Sequence, residues 1–267
     1  MLSKIKNKLN LFFRKAFAFN RMEPSFIIIG EARCGTTSLF NYISQNDKVL
    51  PPLKKEIHFF DYKFLKKKGW YKSFFPFVKE GKITGEATPY YFSHPKAAKR
   101  IKETYPDIKI ILVLRNPIDR AISSFYKQRD LKLETVDSIE DAINLEEERL
   151  KDSMANMSNN IDYDFNHKNY AYANRGLYYE NLERWQSLFD EDQMLIFEFE
   201  ELFSNIEVNY NKVIEFLNID KQNIDFKHFN KGTYDNIDAE FRMELGNFFE
   251  DSNQKLYDLL KTNYDWK

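Results

Sequence analysis

The sequence predicts a single α/β domain with a mostly parallel central sheet flanked by helices. Three short apolar runs, rich in β-branched and aromatic residues, have the length of buried strands: Phe26 to Ile29, Ile110 to Leu114 and Met194 to Phe199. Segments with helical periodicity lie between and after these runs, and this alternation is typical of parallel strands joined by crossover helices. A chain of 267 residues is long enough for one such domain, which we assign to residues 23–267.

Apolar residues at helical spacing predict the helices. The segments are Thr36 to Gln45, Pro95 to Tyr105, Pro117 to Arg129, Tyr178 to Phe189, Ile206 to Leu217 and Ala239 to Leu260. Residues 134–169 differ, because an acidic helix is followed there by an Asn- and Ser-rich stretch. We expect no core from them and predict a solvated insertion or a flap over the functional site.

Composition limits the partners and the compartment. Lys plus Arg number 40 and Asp plus Glu 41, so no global field attracts nucleic acid, and no nucleic-acid partner is expected. The single cysteine, Cys34, cannot form an intramolecular disulfide, which favours a reducing, cytoplasmic location. No apolar run approaches the roughly 20 residues needed to cross a bilayer.

Residues 1–22 have the pattern of a basic amphipathic helix. Apolar residues from Leu2 to Phe17 recur at helical spacing, with lysines and arginines between them. Two interpretations remain open. In the first, residues 1–20 dock peripherally on an anionic membrane surface, the inner face for a cytoplasmic protein, or on a membrane-bound partner. In the second, the helix frays or packs on the core.

A buried strand, a tight turn and a helix start follow one another in residues 26–38. Gly30 and Gly35 permit a backbone that curls around an anion, and unpaired amides of the first helical turn carry partial positive charge. Arg33 adds a permanent cation that can bind two oxygens at once. The predicted phosphate-binding residues are Arg33, Cys34, Gly35, Thr36, Thr37 and Ser38.

The main competing interpretation is a P-loop-type nucleotide phosphotransferase. Its loop would have the sequence G-x-x-x-x-G-K-[ST], and the spacing from Gly30 to Gly35 fits it. However, Thr36 stands at the lysine position and the cation has moved to Arg33, so a triphosphate would lose its main counter-charge. A second alternative is a non-catalytic protein that has kept the fold of an enzyme, has lost its activity and binds glycans or membranes.

Three more segments contain candidate binding or catalytic residues. Arg115 lies at the end of the strand that begins at Ile110, and Pro117 begins the next helix. An arginine at the end of this strand can reach an anion bound near the N-terminus of that helix. The other two segments are Lys55-Glu56-Ile57-His58-Phe59-Phe60-Asp61 and Asn230-Lys231-Gly232-Thr233-Tyr234.

At the phosphate loop and these three segments the sequence resembles the sulfotransferases that use 3′-phosphoadenosine 5′-phosphosulfate (PAPS), nearest to the heparan sulfate N- and 3-O-sulfotransferases. The resemblance runs from about Pro24 to Trp266. It implies transfer of the sulfuryl group of PAPS to a hydroxyl or amine of a carbohydrate, either a polysaccharide or a glycolipid. The product would be 3′-phosphoadenosine 5′-phosphate (PAP), and no metal would be required.

The resemblance also implies roles for the nucleotide-binding residues. The first loop would hold the 5′-phosphosulfate, with Arg33 where the family usually has lysine, a change that keeps charge but alters geometry. Arg115 and Ser123 would bind the 3′-phosphate. Lys231, Gly232, Thr233 and Tyr234 would close over the 3′-phosphate and adenine, with Thr233 replacing the usual arginine.

On the acceptor side, the resemblance implies that Glu56 is the general base, with His58 and Asp61 beside it. A base is needed because a sugar hydroxyl is a poor nucleophile at neutral pH. The cysteine pair usual in 3-O-sulfotransferases is missing, which fits a cytoplasmic enzyme.

Aromatic residues suggest where the acceptor lies. Gly85 to Tyr91 and Arg175 to Tyr178 combine aromatic and polar residues that would suit stacking on sugar faces if exposed. Tyr90, Arg175 and Tyr178 are therefore predicted to contact the acceptor, under a flap formed by residues 134–169. Ala87 stands where heparan enzymes often have lysine, which argues against a heparan-like acceptor.

Overall fold

Four parallel strands form the central sheet of the computed structural model, which describes residues 13–159, 162–226 and 237–266. They are β1 (Phe26–Gly30), β2 (Gly85–Ala87), β3 (Lys109–Leu114) and β4 (Met194–Glu198), in the order β2-β1-β3-β4. The predicted α/β class is confirmed, and three of the strands match predicted runs. The strand β2 was not predicted, because three residues are too few to show a strand pattern.

Helices surround the sheet. In chain order they are α1 (Thr36–Ile43), α2 (Lys67–Lys72), α3 (Ala97–Thr104), α4 (Pro117–Asp130), α5 (Ile139–Asn144), α6 (Glu146–Leu150), α7 (Ser153–Asn159), α8 (Phe165–Tyr170), α9 (Tyr179–Gln186), α10 (Phe199–Ser204), α11 (Ile206–Leu217) and α12 (Ala239–Leu260). Short 3-10 helices cover Ala18–Asn20, Phe64–Lys66, Pro89–Tyr91, Asn174–Gly176 and Glu191–Gln193. The six predicted helices all form, and α11 and α12 have the predicted bounds.

Both faces of the sheet are covered. Alternate residues of β1 point to opposite sides, and every residue of the strand is buried. On one side Ile27 packs in a cluster with Trp185 of α9, and on the other Ile28 packs with Leu39 of α1 and Val213 of α11. Burial of each such side chain stabilises the fold by about 1.5–3 kcal/mol. The sheet therefore holds the loops at its edges in fixed positions.

The segment 134–169 packs more than its composition indicates. Ile139 and Ala142 of α5 lie in a buried cluster with Phe125. The carboxylate of Glu146 accepts hydrogen bonds from the amides of Ala173 and Asn174, at 2.8 and 2.6 Å. The expectation that this segment contributes no core is therefore wrong, because its short helices bury their few apolar residues and use acidic ones to satisfy buried amides.

The N-terminal segment is described from residue 13, where residues 13–16 are helical. Arg14 donates hydrogen bonds to the carbonyls of Ser73 and Phe75, at 2.7 and 2.9 Å. The part of the predicted amphipathic helix in residues 1–12 lies outside the described residues. In the described part of the chain, no helix has the length and apolar character needed to span a membrane.

Candidate active site

The carboxyl ends of the parallel strands bring three of the predicted site segments, those in the described part of the chain, to one edge of the sheet. The loop after β1 carries Arg33, and Arg115 follows β3 directly. The amide of Glu56 donates to the carbonyl of Ala87 at the end of β2, at 3.1 Å, which fixes this segment to the same edge. Glu200 lies just after β4.

The first loop has the left-handed backbone expected of an anion-binding turn. Gly30 has φ 141°, Arg33 φ 78° and Gly35 φ 75°. A Cβ at Gly30 would overlap the carbonyl oxygen of Val113, so only glycine fits between these strands. No acidic residue and no side-chain cap occupies the first turn of α1, so its amides remain available to an anion.

Not every side chain of the loop faces outward. Arg33 and Thr37 are exposed and Ser38 is half-buried, whereas Cys34 and Thr36 are buried. Burial raises the pKa of the Cys34 thiol to about 12, so this cysteine is a neutral core residue. Its side chain therefore cannot make the predicted contact with a nucleotide, and its amide donates to the carbonyl of Glu31 at 3.2 Å.

Arg33, Arg115 and Ser123 come together in one pocket. Arg33 Nε donates to Ser123 Oγ at 2.8 Å, and an Arg115 guanidinium nitrogen donates to the carbonyl of Arg33 at 3.2 Å. Two permanent cations and a hydroxyl therefore share a space beside the amides of α1. This is the arrangement that two anionic ends of one nucleotide would need.

Two acidic residues border this pocket, and neither was predicted. Glu200 Oε1 lies 3.6 Å from Arg115 Nε, and the Arg115 guanidinium lies 4.7 Å from the ring centroid of Phe199. Burial and the neighbouring Glu198 carboxylate raise the pKa of Glu200 to about 8. The position of Glu200 just after a predicted strand was the one available indication in the sequence.

The acceptor-side residues form a carboxylate–imidazole–carboxylate row. His58 Nδ1 lies 2.6 Å from Asp61 Oδ2, and His58 Nε2 lies 3.6 Å from Glu56 Oε2. Lys55 Nζ donates to the other oxygen of Glu56 at 2.7 Å. Partial burial raises the pKa of Glu56, but the facing His58 ring and the Lys55 ammonium lower it more, to about 2.

The imidazole of His58 is held between two acids. Burial lowers the pKa of His58, but Asp61 and Glu56 raise it more, and the net pKa is above the usual value. Asp61 is fully buried and also accepts a hydrogen bond from the amide of Tyr62 at 2.6 Å. The row therefore presents an ionised Glu56 toward solvent, with the His58 ring between this carboxylate and the buried Asp61.

A buried carboxyl, which was not predicted as a site residue, fixes the backbone of the segment that carries this row. Glu86 of β2 accepts hydrogen bonds from the hydroxyl of Tyr71 at 2.7 Å and from the amide of Ile57 at 3.3 Å. Tyr91 bridges to the same segment, because its hydroxyl accepts from the amide of Phe59 at 2.7 Å and donates to Glu86 at 3.1 Å. These contacts hold the unusual backbone in which Glu56 and His58 have φ 58° and 59°.

The exposure expected of Tyr90, Arg175 and Tyr178 is wrong, because all three side chains are buried. Tyr178 donates from its hydroxyl to the carbonyl of Arg115 at 2.9 Å. Arg175 forms an ion pair with the buried Glu31 in the first loop, and its guanidinium lies 5.1 Å from the ring centroid of Tyr90. These residues position the site and cannot stack on a sugar, which periodicity alone could not show.

Other side chains take the place beside the row. The Tyr62 ring stacks on His58 with centroids 4.7 Å apart, and Lys168 Nζ donates to the Tyr62 hydroxyl at 3.2 Å. Burial lowers the pKa of Lys168, while the carboxylates of Asp61 and Glu56 oppose this shift. Tyr163, in edge contact with Tyr62, is exposed. Lys168 comes from α8, so part of the segment 134–169 lies beside this row.

The fourth predicted segment, with Lys231, Gly232, Thr233 and Tyr234, lies outside the described residues. The described part of the predicted nucleotide site therefore consists of the first loop, Arg115 and Ser123.

Comparison with known proteins gives a consistent result. A family model described as "Sulfotransferase domain" matches residues 23–254. Membrane-associated sulfotransferase kil1 of Dictyostelium discoideum is 26% identical, with 91% of this chain and 66% of the relative covered. Human heparan sulfate glucosamine 3-O-sulfotransferase 3B1 is 29% identical, with 91% of this chain and 65% of the relative covered. The match thus spans just under two thirds of the length of these relatives.

The fold also has a close match among solved structures. The crystal structure of a sulfotransferase from Alicyclobacillus acidocaldarius superposes with a TM-score of 0.76 and 28% sequence identity. The superposition covers 90% of this chain and 97% of that one.

Proposed function

The chain belongs to the sulfotransferase domain family, and from this premise we propose that it transfers the sulfuryl group of PAPS to a hydroxyl or amine of a carbohydrate. The resemblance found in the sequence is confirmed at the level of the family. The donor substrate, the acceptor and the roles of individual residues are the content of the proposal.

The observation that carries the proposal is the shared position of Arg33, Arg115 and Ser123 at the N-terminus of α1. PAPS carries a phosphate on the 3′ position and a phosphosulfate on the 5′ position of its ribose, so it needs two cationic sites in one pocket. The loop amides and Arg33 fit the 5′-phosphosulfate, and Arg115 with Ser123 fits the 3′-phosphate. Lys231, Gly232, Thr233 and Tyr234 remain proposed contacts to the 3′-phosphate and adenine.

In the proposed reaction, an acceptor oxygen or nitrogen attacks sulfur as the bond from sulfur to the 5′-phosphate oxygen breaks. The acceptor proton passes to the carboxylate of Glu56, and PAP leaves with the additional negative charge. Arg33 and the fixed amides of the loop stabilise that charge. Positioning of the two substrates contributes most of the remaining acceleration, as in related group transfers.

His58 and Asp61 support the general base. Because Asp61 lies 2.6 Å from Nδ1 of His58, the ring is fixed with Nε2 directed at Glu56. Glu56 has a pKa of about 2, so it is ionised at any physiological pH, which is the state that a proton acceptor must have. His58 is proposed as a second catalytic residue, beside Glu56 on the acceptor side.

The surroundings of Glu56 favour a carbohydrate. Tyr62 and the exposed Tyr163 offer aromatic surface, and Lys168 offers a cation, all close to His58. Aromatic rings with a few polar groups are suited to sugar faces. The human relative is named as a heparan sulfate glucosamine 3-O-sulfotransferase, which supports the same acceptor class.

We propose a cytoplasmic location, because the one cysteine of the sequence is a buried free thiol. Peripheral membrane contact through residues 1–20 is also proposed. One similar protein is named a membrane-associated sulfotransferase.

Transfer of radiolabelled sulfate from PAPS to a panel of polysaccharides and glycolipids tests the function. We expect labelled product, and we expect PAP to raise the melting temperature more than ATP with magnesium does. A larger shift with ATP would favour the phosphotransferase alternative. A PAP shift without transfer to any member of the panel would favour a non-catalytic glycan-binding protein.

A further inference from the structure

Four large apolar side chains are exposed on two segments that lie side by side, residues 17–19 and 77–78. The exposed fractions are 52% for Phe17, 79% for Phe19, 50% for Phe77 and 63% for Val78. A single exposed apolar residue is ordinary, but several on adjacent segments mark an interaction surface. We call these four residues the aromatic face.

Hydrogen bonds hold the two segments of the aromatic face side by side. The amide of Val78 donates to the carbonyl of Asn20 at 3.1 Å, and the amide of Met22 donates to the carbonyl of Pro76 at 3.0 Å. Arg21 pairs with Phe77 in an antiparallel bridge, and its guanidinium lies 4.1 Å from the Phe77 ring centroid. The face therefore combines residues from two parts of the chain.

Two arginines attach this face to the domain. Arg14 donates to the carbonyls of Ser73 and Phe75, at 2.7 and 2.9 Å, and Arg21 donates to Phe75 at 2.8 Å. Arg14 was expected to be one of the charges of an amphipathic helix, but its guanidinium is occupied by these carbonyls. These contacts of the domain therefore fix the position of the aromatic face, which does not depend on how an N-terminal helix is oriented.

The charge around the face is positive. Among the described residues of this part of the chain, 13–22, three are Lys or Arg and none is Asp or Glu, although the whole chain has a net charge of −1. Lys15 is exposed next to Phe17. Glu23, the first acid along the chain, is paired with Lys68 and Lys72, each at 2.9 Å. Charge complementarity therefore selects a negatively charged partner surface.

We propose that the aromatic face is a membrane-docking surface that inserts into the interface of an anionic lipid bilayer. The phenylalanine rings and Val78 enter the boundary between headgroups and acyl chains, while the cations of residues 13–22, of which Lys15 is exposed, meet the lipid charges. The partner is a lipid surface because the face joins exposed aliphatic and aromatic groups to a block of like charge. This proposal is independent of the transfer reaction, and it adds Phe77 and Val78 to the contact expected from residues 1–20.

Vesicle co-sedimentation of the full chain tests the proposal. We compare vesicles of phosphatidylcholine with vesicles in which about a third of the lipid is phosphatidylserine, at low and high salt. The full chain should bind the anionic vesicles, and binding should weaken as salt increases because the lipid charge is screened. The variant F17S/F19S/F77S should bind about tenfold or more weakly, because three apolar insertions are lost.

The matched control is Phe248→Ser, which changes a phenylalanine of similar exposure, 52%, on α12. It should bind vesicles like the unmodified chain. Phe19→Ser alone, at the most exposed position, should weaken binding measurably and keeps the test valid if the triple variant does not fold. Absence of vesicle binding by the full chain, equal binding by Phe19→Ser, or a dimer in sedimentation that these substitutions dissolve would overturn the proposal.

Discussion

Arg33 Nε donates a hydrogen bond to Ser123 Oγ over 2.8 Å, although the two residues are 90 positions apart in sequence. The contact exists because β1 and β3 are neighbours in the sheet, so the loop after one strand meets the helix after the other. Arg115, at the end of β3, completes the contact by donating to the Arg33 carbonyl. A nucleotide held by the first loop would therefore also touch the residues proposed for its 3′-phosphate.

Replacement of Arg33 tests this pocket. Arg33→Ala should lower kcat about 10²-fold or more, because a charged donor to the leaving phosphate is lost. Arg33→Lys should retain most of the activity, since it keeps the charge. The melting-temperature shift caused by PAP should shrink in Arg33→Ala and not in Arg129→Ala, a control at an exposed arginine of α4. Unchanged PAP binding by Arg33→Ala would contradict the assignment.

Glu200 should make nucleotide binding depend on pH. Its pKa of about 8 leaves the carboxyl mostly neutral at pH 7 and ionised at pH 9. The ionised form, 3.6 Å from Arg115, competes with a phosphate for that cation. We therefore expect the Kd of PAP, measured by calorimetry, to rise about fivefold or more from pH 7 to pH 9.

The variant Glu200→Gln should bind PAP with a nearly constant Kd over the same range. Glu207→Gln, at an exposed position on α11, should keep the pH dependence of the unmodified chain. A pH dependence that persists in Glu200→Gln would show that another group is responsible.

Sequence patterns predicted the strands and helices better than the buried polar residues that hold the site in place. The alternation of apolar runs and helical segments gave three strands and six helices, because burial on both sides of a sheet leaves a strong pattern. The phosphate loop could be recognised because its glycines and helix start are local. Glu31 and Glu86 were not selected, because a carboxyl that is buried against distant partners has no local pattern.

The acceptor side shows the same limit. Glu56, His58 and Asp61 lie within six positions of one another, and the structure places them in one row. Tyr90 and Tyr178 were expected on the surface, since an aromatic residue next to polar ones looks the same in a sequence whether it is buried or exposed. Lys168 reaches this side from α8, more than 100 positions away from its partner Tyr62, and only the fold could reveal it.

Glu56→Gln should stop turnover without affecting the nucleotide. The amide cannot accept the acceptor proton, so kcat should fall about 10³-fold while the Kd of PAP stays unchanged. Since the pKa of Glu56 is about 2, the acidic limb that it causes in kcat/KM should lie below about pH 4. Glu140→Gln, at an exposed acid of α5, is the control and should have full activity. Near-full activity of Glu56→Gln would contradict the proposed base.

The buried ion pair between Glu31 and Arg175 should control both stability and coupling between the two sides of the site. Arg175 also donates to the carbonyl of Lys168 at 2.8 Å, so it joins the first loop to the acceptor side. Arg175→Met leaves a buried carboxylate without its partner and should lower the free energy of unfolding by about 3–5 kcal/mol, measured with urea.

Adding Glu31→Gln to Arg175→Met should recover part of that loss, because no unpaired charge then remains buried. Activity should not recover, since the connection from the loop to Lys168 is still absent. The kinetic effect should appear in kcat more than in the KM for PAPS, because the nucleotide contacts at Arg33 and Arg115 are intact. If the double variant were less stable than Arg175→Met, or if kcat returned with stability, the ion pair would not have the positioning role that its contacts indicate.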